Sequence, residues 1–158
     1  MSDRNGQPMG YSELQHWLRH RFPMVLIDRV VCYESGKSIT ALTALSGTSD
    51  WAQGHFPGRA IYPGSHIIQA FSQTAILLLQ LSSPPLSDDE MTVVSSIEAK
   101  FASPAVPGDL LRLSVTLNRV CSNVFFFQGS AARDADRVAR IRVNIARRQI
   151  TAFGRQLW

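Results

Sequence analysis

Residues 65–81, SHIIQAFSQTAILLLQL, restrict the fold of this chain more than any other stretch. Pro63-Gly64 stands before them and Ser82-Ser83-Pro84-Pro85 after, so the run has a helix start and a helix stop. Ile67, Ile68, Ala70, Phe71, Ala75, Ile76, Leu77, Leu78, Leu79 and Leu81 fall on nearly every side of that helix, which leaves no face for water. Gln, Ser and Thr interrupt the run often enough to rule out a membrane span. The helix therefore has to be wrapped by protein, and the rest of the chain supplies strands to wrap it. Runs at 25–33 and 37–45 are joined by Glu34-Ser35-Gly36, which is hairpin punctuation. Four more strands are predicted at 92–101, 110–120, 124–133 and 137–146, separated by Pro104, Pro107-Gly108-Asp109, Ser122-Asn123 and residues 134–136. A short amphipathic helix at 11–18, carrying Leu14, Trp17 and Leu18, would cap the assembly, and residues 46–64 read as a loop. Two strands, one buried helix and four strands describe an α+β fold, an antiparallel sheet folded around a single helix. Parallel βαβ winding would need more helices.

The 158 residues are about one domain's worth of chain, so a single domain over 1–158 is expected, with its core at about 14–147 and peripheral termini. Hydrophobic residues make up 45% and charged residues 18%, the balance of a globule. The opening MSDRNGQPMG has no basic patch and apolar core of a secretory signal, and the cytoplasm is the expected compartment. Cys32 and Cys121 match no metal-ligand or redox spacing and fall in predicted strands, so they are expected as buried free thiols. No zinc, nucleotide or flavin motif is present, and neither a metal nor any other cofactor is implied. The net charge of +4 favours an acidic partner. Nucleic acid is disfavoured, because the arginines form no block interleaved with exposed aromatics. In residues 137–148, Arg140, Arg142 and Asn144 alternate with Ile141, Val143 and Ile145. That is a strand with one wet face, either merely solvated or an electrostatic docking face.

The chemistry is concentrated in Gly54-His55-Phe56-Pro57-Gly58-Arg59-Ala60-Ile61-Tyr62-Pro63-Gly64, which runs directly into the buried helix. Dense Gly and Pro stiffen the backbone around one imidazole. Beyond it, a helix N-terminus presents free N–H donors that polarise a carbonyl. A base beside an electrophile is what proton abstraction next to a carbonyl requires.

These residues resemble the 3-hydroxyacyl-(acyl carrier protein) dehydratases of fatty acid synthesis, which have the hotdog fold. The likeness rests on 18–30, LRHRFPMVLIDRV; on GHFPG at 54–58 with Tyr62-Pro63-Gly64; and on Lys100-Phe101, Pro104 and Val106-Pro107-Gly108-Asp109. It spans about residues 14–145. The resemblance implies that His55 removes the C2 proton of a 3-hydroxyacyl thioester and that the Gly64 N–H binds the thioester carbonyl, with Phe56 lining the substrate site and a cis Phe56-Pro57 bond in the turn. The substrate handle it implies is acyl carrier protein or coenzyme A, and the expected assembly is a dimer, a trimer of dimers, or a heterodimer with a homologue. Each site would draw its histidine and its acidic residue from different subunits. Neither membrane nor nucleic acid enters that reading.

The family's carboxylate, one turn into the helix, aligns with Gln69. An amide has no proton to give at neutral pH, so Gln69 holds a hydroxyl or a water without acting as general acid. Losing a positioned acid costs roughly 10²–10⁴ in rate. His66, three residues earlier and on about the same helix face, is a candidate replacement donor, or else a helix-start residue satisfied by nearby backbone. Gln73 would be the family's residue that orients the acid, or would satisfy buried backbone. Asp28, near His20 and Arg29, is expected in a structural ion pair. Three functions stay open: a dehydratase with a modified site, a non-catalytic subunit that supports a catalytic homologue, and a thioesterase or isomerase on the same fold.

Overall fold

The computed structural model describes residues 6–155. Helix α1 (Tyr11–Trp17) precedes the hairpin β1 (Arg29–Glu34) and β2 (Ser38–Ala44), a short helix α2 (Asp50–Gly54) and the long helix α3 (Gly64–Ser82). Strands β3 (Glu90–Phe101), β4 (Leu110–Cys121), β5 (Val124–Arg133) and β6 (Asp136–Gln149) follow, and a 3₁₀ turn (Ile150–Phe153) closes the described chain. All six strands form one antiparallel sheet in the order β1-β2-β4-β5-β6-β3. The expected helix and strands are present to within a few residues. Residues 50–54, expected as loop, instead make the one-and-a-half turns of α2, which bury Ala52.

The sheet turns its apolar side to α3. Ile39 and Ala41 of β2, Leu111, Leu113 and Val115 of β4, Phe125 and Phe127 of β5, and Ile141, Val143 and Ile145 of β6 are buried against a helix whose residues 70–80 are all buried. Phe71 sits over β5 at Gly129, where a Cβ would fall 3.1 Å from the Phe71 ring and 1.8 Å from the Ser114 carbonyl oxygen. Only glycine leaves that ring its place. The loop after α3 is held by Arg147, which donates to the carbonyls of Pro84 and Pro85 and to both carboxylate oxygens of Glu90.

Both cysteines are exposed, contrary to expectation. The cause is the same in each strand. The β1–β2 register shifts between Val30 and Cys32, and the β4–β5 register shifts between Leu117 and Arg119. An extra residue reverses the alternation beyond it, so Cys32 and Cys121 turn away from the core face that simple period two would assign them.

The two sheet edges are finished differently. Met9 bridges to Val30 and covers part of β1. Along β3 no described segment pairs with the outer side, and Val94, Ile97 and Phe101 are 40%, 44% and 50% exposed.

Candidate active site

His55 is the C-cap of α2, its N–H bonded to the Trp51 carbonyl at 2.8 Å. The chain then loops out and returns so that the Ile61 N–H donates to the His55 carbonyl at 2.9 Å. The His55 ring closes the same loop from its side chain, with Nδ1 2.8 Å from the Ile61 carbonyl oxygen. A carbonyl only accepts, so Nδ1 carries the proton and Nε2 is left with its lone pair. The imidazole is thus held in the tautomer of a base. Phe56 stacks on it at 4.2 Å between centroids. The cis bonds lie at Phe22-Pro23 and His55-Phe56. The Phe56-Pro57 bond, expected cis, is therefore trans, and the turn is made one bond earlier.

Pro63 caps α3, and its carbonyl accepts from the His66 and Ile67 N–H groups. Among the described residues the N–H groups of Gly64 and Ser65 find no acceptor. Gly64 and His55 share the wall of a cavity of about 420 Å³ with Ile61, Tyr62, Ile67 and Phe101. The Phe101 ring lies so close over Gly64 that a Cβ there would come within 2.9 Å of it. His55, with a free ring nitrogen, and Gly64, at a helix start, therefore line one space, and a helix start is where a donor meets the negative charge that develops on a bound carbonyl.

The other expected residues are distributed less simply. Gln69 is half-buried on α3, its amide makes no hydrogen bond among the described residues, and it is not part of the His55 cavity wall. His66 lines a second cavity, of about 440 Å³, with Asp28, Trp51 and Tyr62. Its Nδ1 is buried without a partner. Burial, and then the proximity of His55, lower its pKa, which favours the neutral ring over the histidinium a proton donor requires. Gln73 is fully buried and gives both ends of its amide to backbone, accepting from the Leu26 N–H and donating to the Met24 carbonyl. Its amide is committed to holding the segment before β1. Phe56 is 56% exposed at the loop tip and stacks on His55 from outside the cavity wall. Asp28 forms no ion pair among the described residues; its carboxylate accepts from the Ala44 N–H at 2.6 Å.

Residues 18–142 match the family model described as the FabA-like domain. The chain belongs to the FabA-like family. Among curated members, coronafacic acid dehydratase of Pseudomonas savastanoi pv. glycinea is 44% identical over 155 residues, covering 98% of this chain and 94% of that protein. The 3-hydroxyacyl-(acyl-carrier-protein) dehydratase FabZ of Vibrio cholerae serotype O1 is 35% identical over 142 residues, covering 89% and 93%. Among solved structures, the dehydratase heterocomplex ApeI:P from Xenorhabdus doucetiae superposes with a TM-score of 0.72 at 15% identity, covering 90% of this chain and 97% of that one. A hot-dog-like protein from Thermanaerovibrio acidaminovorans gives a TM-score of 0.62 at 19% identity, covering 75% and 86%. The α+β hotdog fold expected for a FabA-like chain is the fold found. Among the described residues no helix is long and apolar enough to cross a membrane.

Tyr62 is not singled out by the sequence as a site residue, yet in this FabA-like chain it lines both cavities. It is buried, with edge contacts to Trp51 at 4.9 Å and His66 at 5.5 Å. Burial and then Asp28 push its hydroxyl up to about 12, so it remains a neutral phenol. Its place two residues before the helix, within the Gly- and Pro-rich loop, was the available signal.

Proposed function

We propose that the protein is a dehydratase that removes water from 3-hydroxyacyl thioesters, carried on an acyl carrier protein, in fatty acid, lipid or polyketide-like biosynthesis in the cytoplasm. The observation that carries this is the His55 ring, whose Nδ1–H is committed to Ile61 so that Nε2 keeps its lone pair, in a residue that lines the same cavity as Gly64. In this reading Nε2 takes the C2 proton while the Gly64 N–H donates to the thioester oxygen as negative charge grows there. The C3–O bond then breaks, and the imidazolium at His55 returns its proton to the departing hydroxyl. The substrate thus loses one proton and one hydroxide as water, leaving a double bond between C2 and C3. Gln69 orients that hydroxyl through its amide and supplies no proton.

Because Gln69 is off the wall of its own chain's His55 cavity, we propose that it serves the cavity of a second subunit, with the open edge of β3 and its exposed Val94 and Ile97 as the contact. A homodimer and a heterodimer with a catalytic homologue both meet that geometry. The second function, a supporting subunit, draws on Gln69 itself, since the partner would bring the missing carboxylate. Assay of the purified protein with 3-hydroxyacyl, enoyl and saturated acyl thioesters tests the proposal. Reversible hydration and dehydration are expected. Thioester hydrolysis alone, or activity only after a homologue is added, would replace this reading with one of the others.

A further inference from the structure

The second cavity, of about 440 Å³, takes no part in the chemistry at His55, although Tyr62 belongs to the walls of both. Its size is that of a small-molecule site. Two carboxylates, Asp28 and Asp50, stand on its wall, and no lysine or arginine does. That runs against the chain as a whole, which has 16 lysines and arginines to 12 acidic residues. Neither carboxylate has an ion pair among the described residues. Asp50 lies in the first turn of α2, where a carboxylate is favoured without any ligand. Asp28 has no such reason to be there. One of its oxygens accepts from the Ala44 N–H, and the other has no hydrogen bond among the described residues.

A buried polar group on the same wall is also left open. Tyr62 is 4% exposed, and its hydroxyl makes no hydrogen bond among the described residues. A phenol buried that far ordinarily has a partner. Burial and then Asp28 raise its pKa to about 12, so the hydroxyl keeps its proton and lies within reach of the Asp28 charge. His66 adds a second such atom, the buried and unpartnered Nδ1. Much of the remaining wall is apolar, with the rings of Phe22 and Trp51 beside Leu26. An anion here would meet two carboxylates and no cation to offset them, which excludes phosphate-bearing ligands and disfavours zwitterions. A neutral hydrocarbon would leave the phenol stranded and the carboxylates partly stripped of water. An ammonium on an apolar body meets each group in turn. Its N–H bonds go to carboxylate and phenol oxygens, and its charge is attracted by the aromatic faces.

We propose that this cavity binds a small primary amine in its ammonium form, the apolar body against Phe22, Trp51 and Leu26 and the charge toward Asp28, Asp50 and the Tyr62 hydroxyl. The site goes beyond the dehydratase reading and does not depend on it.

The test is isothermal titration calorimetry of the full-length protein, at neutral pH and low salt, with 2-phenylethylammonium and hexylammonium. The neutral and anionic counterparts are 2-phenylethanol and 3-phenylpropanoate. Saturable binding of at least one of the amines, one per chain, is expected, about tenfold or more tighter than the alcohol, with no binding of the carboxylate. The double variant Asp28→Asn, Asp50→Asn, which leaves an oxygen for the Ala44 N–H, should raise the amine Kd about tenfold or more, and Tyr62→Phe should raise it severalfold. Failure of both amines to saturate by millimolar concentration would overturn the proposal. So would an alcohol that binds as tightly as the amine, or an unchanged Kd in a folded double variant. Should that variant not fold, the wild type decides by NMR. The Trp51 indole N–H signal, assigned by its loss in Trp51→Phe, should move on addition of amine and stay in place with alcohol. Binding heat with no shift at Trp51 would put the amine elsewhere and overturn the site.

Discussion

Residues 70–80 of α3 are buried without a break, and each polar side chain among them is bonded. Ser72 donates to the Ile68 carbonyl, Thr74 to the Ala70 carbonyl, Gln73 bridges Met24 and Leu26, and Gln80 donates to the Trp17 carbonyl. Residues 64–69 of the same helix are handled in the opposite way. Among the described residues the Gly64 and Ser65 N–H groups, the His66 Nδ1 and the Gln69 amide all lack a partner. The first N–H groups of a helix have no acceptor within it, and of these four groups the His66 Nδ1 is the one that is buried, so the front of α3 offers polar groups that water or a ligand can meet, while the polar side chains along its rear are used inside the chain. One helix anchors the core with its rear and leaves polar groups open at its front.

The sharpest way to break that division is a pair of substitutions that should not resemble each other. His55→Ala is expected to lower kcat by roughly 10²–10⁴ or more while the melting temperature hardly moves. Phe71→Ala should cost about 3–5 kcal/mol in denaturant titration, with kcat per folded molecule preserved. A large stability loss at His55, or a specific kinetic loss at Phe71, would erase the distinction. Gln73→Ala should behave as a rear-end residue. It strands the Leu26 N–H and the Met24 carbonyl, at about 1–3 kcal/mol for such an unsatisfied group, and should leave KM unchanged once folded.

Gly64→Ala sharpens the front. The new methyl meets the Phe101 ring at 2.9 Å, which costs about 1 kcal/mol, and alanine's better helix propensity offsets about the same amount. Stability should be nearly level while KM rises severalfold, and Phe101→Leu in the same chain should bring KM back. The smallest expected effect concerns the loop behind α3. Hydrogen bonds from Arg147, and then from Ser87, hold Glu90 down to about 2. A carboxyl depressed by folding stabilises the folded state above its ordinary value near 4.5, and that contribution fades as pH falls toward 2. Glu90→Gln should therefore lower the melting temperature slightly at neutral pH and flatten its decline between those two values, with no change in activity.

Much of this arrangement was legible in the residues. The unbroken apolar run announced α3 and its need of a wrapper, and the Gly- and Pro-rich stretch around His55 announced the loop. These are local signals, readable because helix and strand periods differ. What stayed hidden depends on contacts between distant residues. Nothing near Glu90 or Phe101 states that β3 crosses to the far edge beside β6, and nothing near Cys32 or Cys121 announces the register shifts that turn both outward. Gln73 could have faced either the pocket or the backbone, and only the position of residues 24–26 decides between them. The α2 helix was missed because five residues carry too little periodicity to separate a turn of helix from a loop.

The account depends above all on a base at the front of α3 working without a carboxylic acid. Its most direct test is the rate of enoyl thioester formation by Gln69→Glu beside the wild type. Restoring the acid should raise that rate by about 10² or more while His55 is intact, and substituting His55→Ala in the same chain should remove the gain. A rate that stays at the wild-type level with glutamate at 69 would contradict the claim that Gln69 stands where the proton donor belongs.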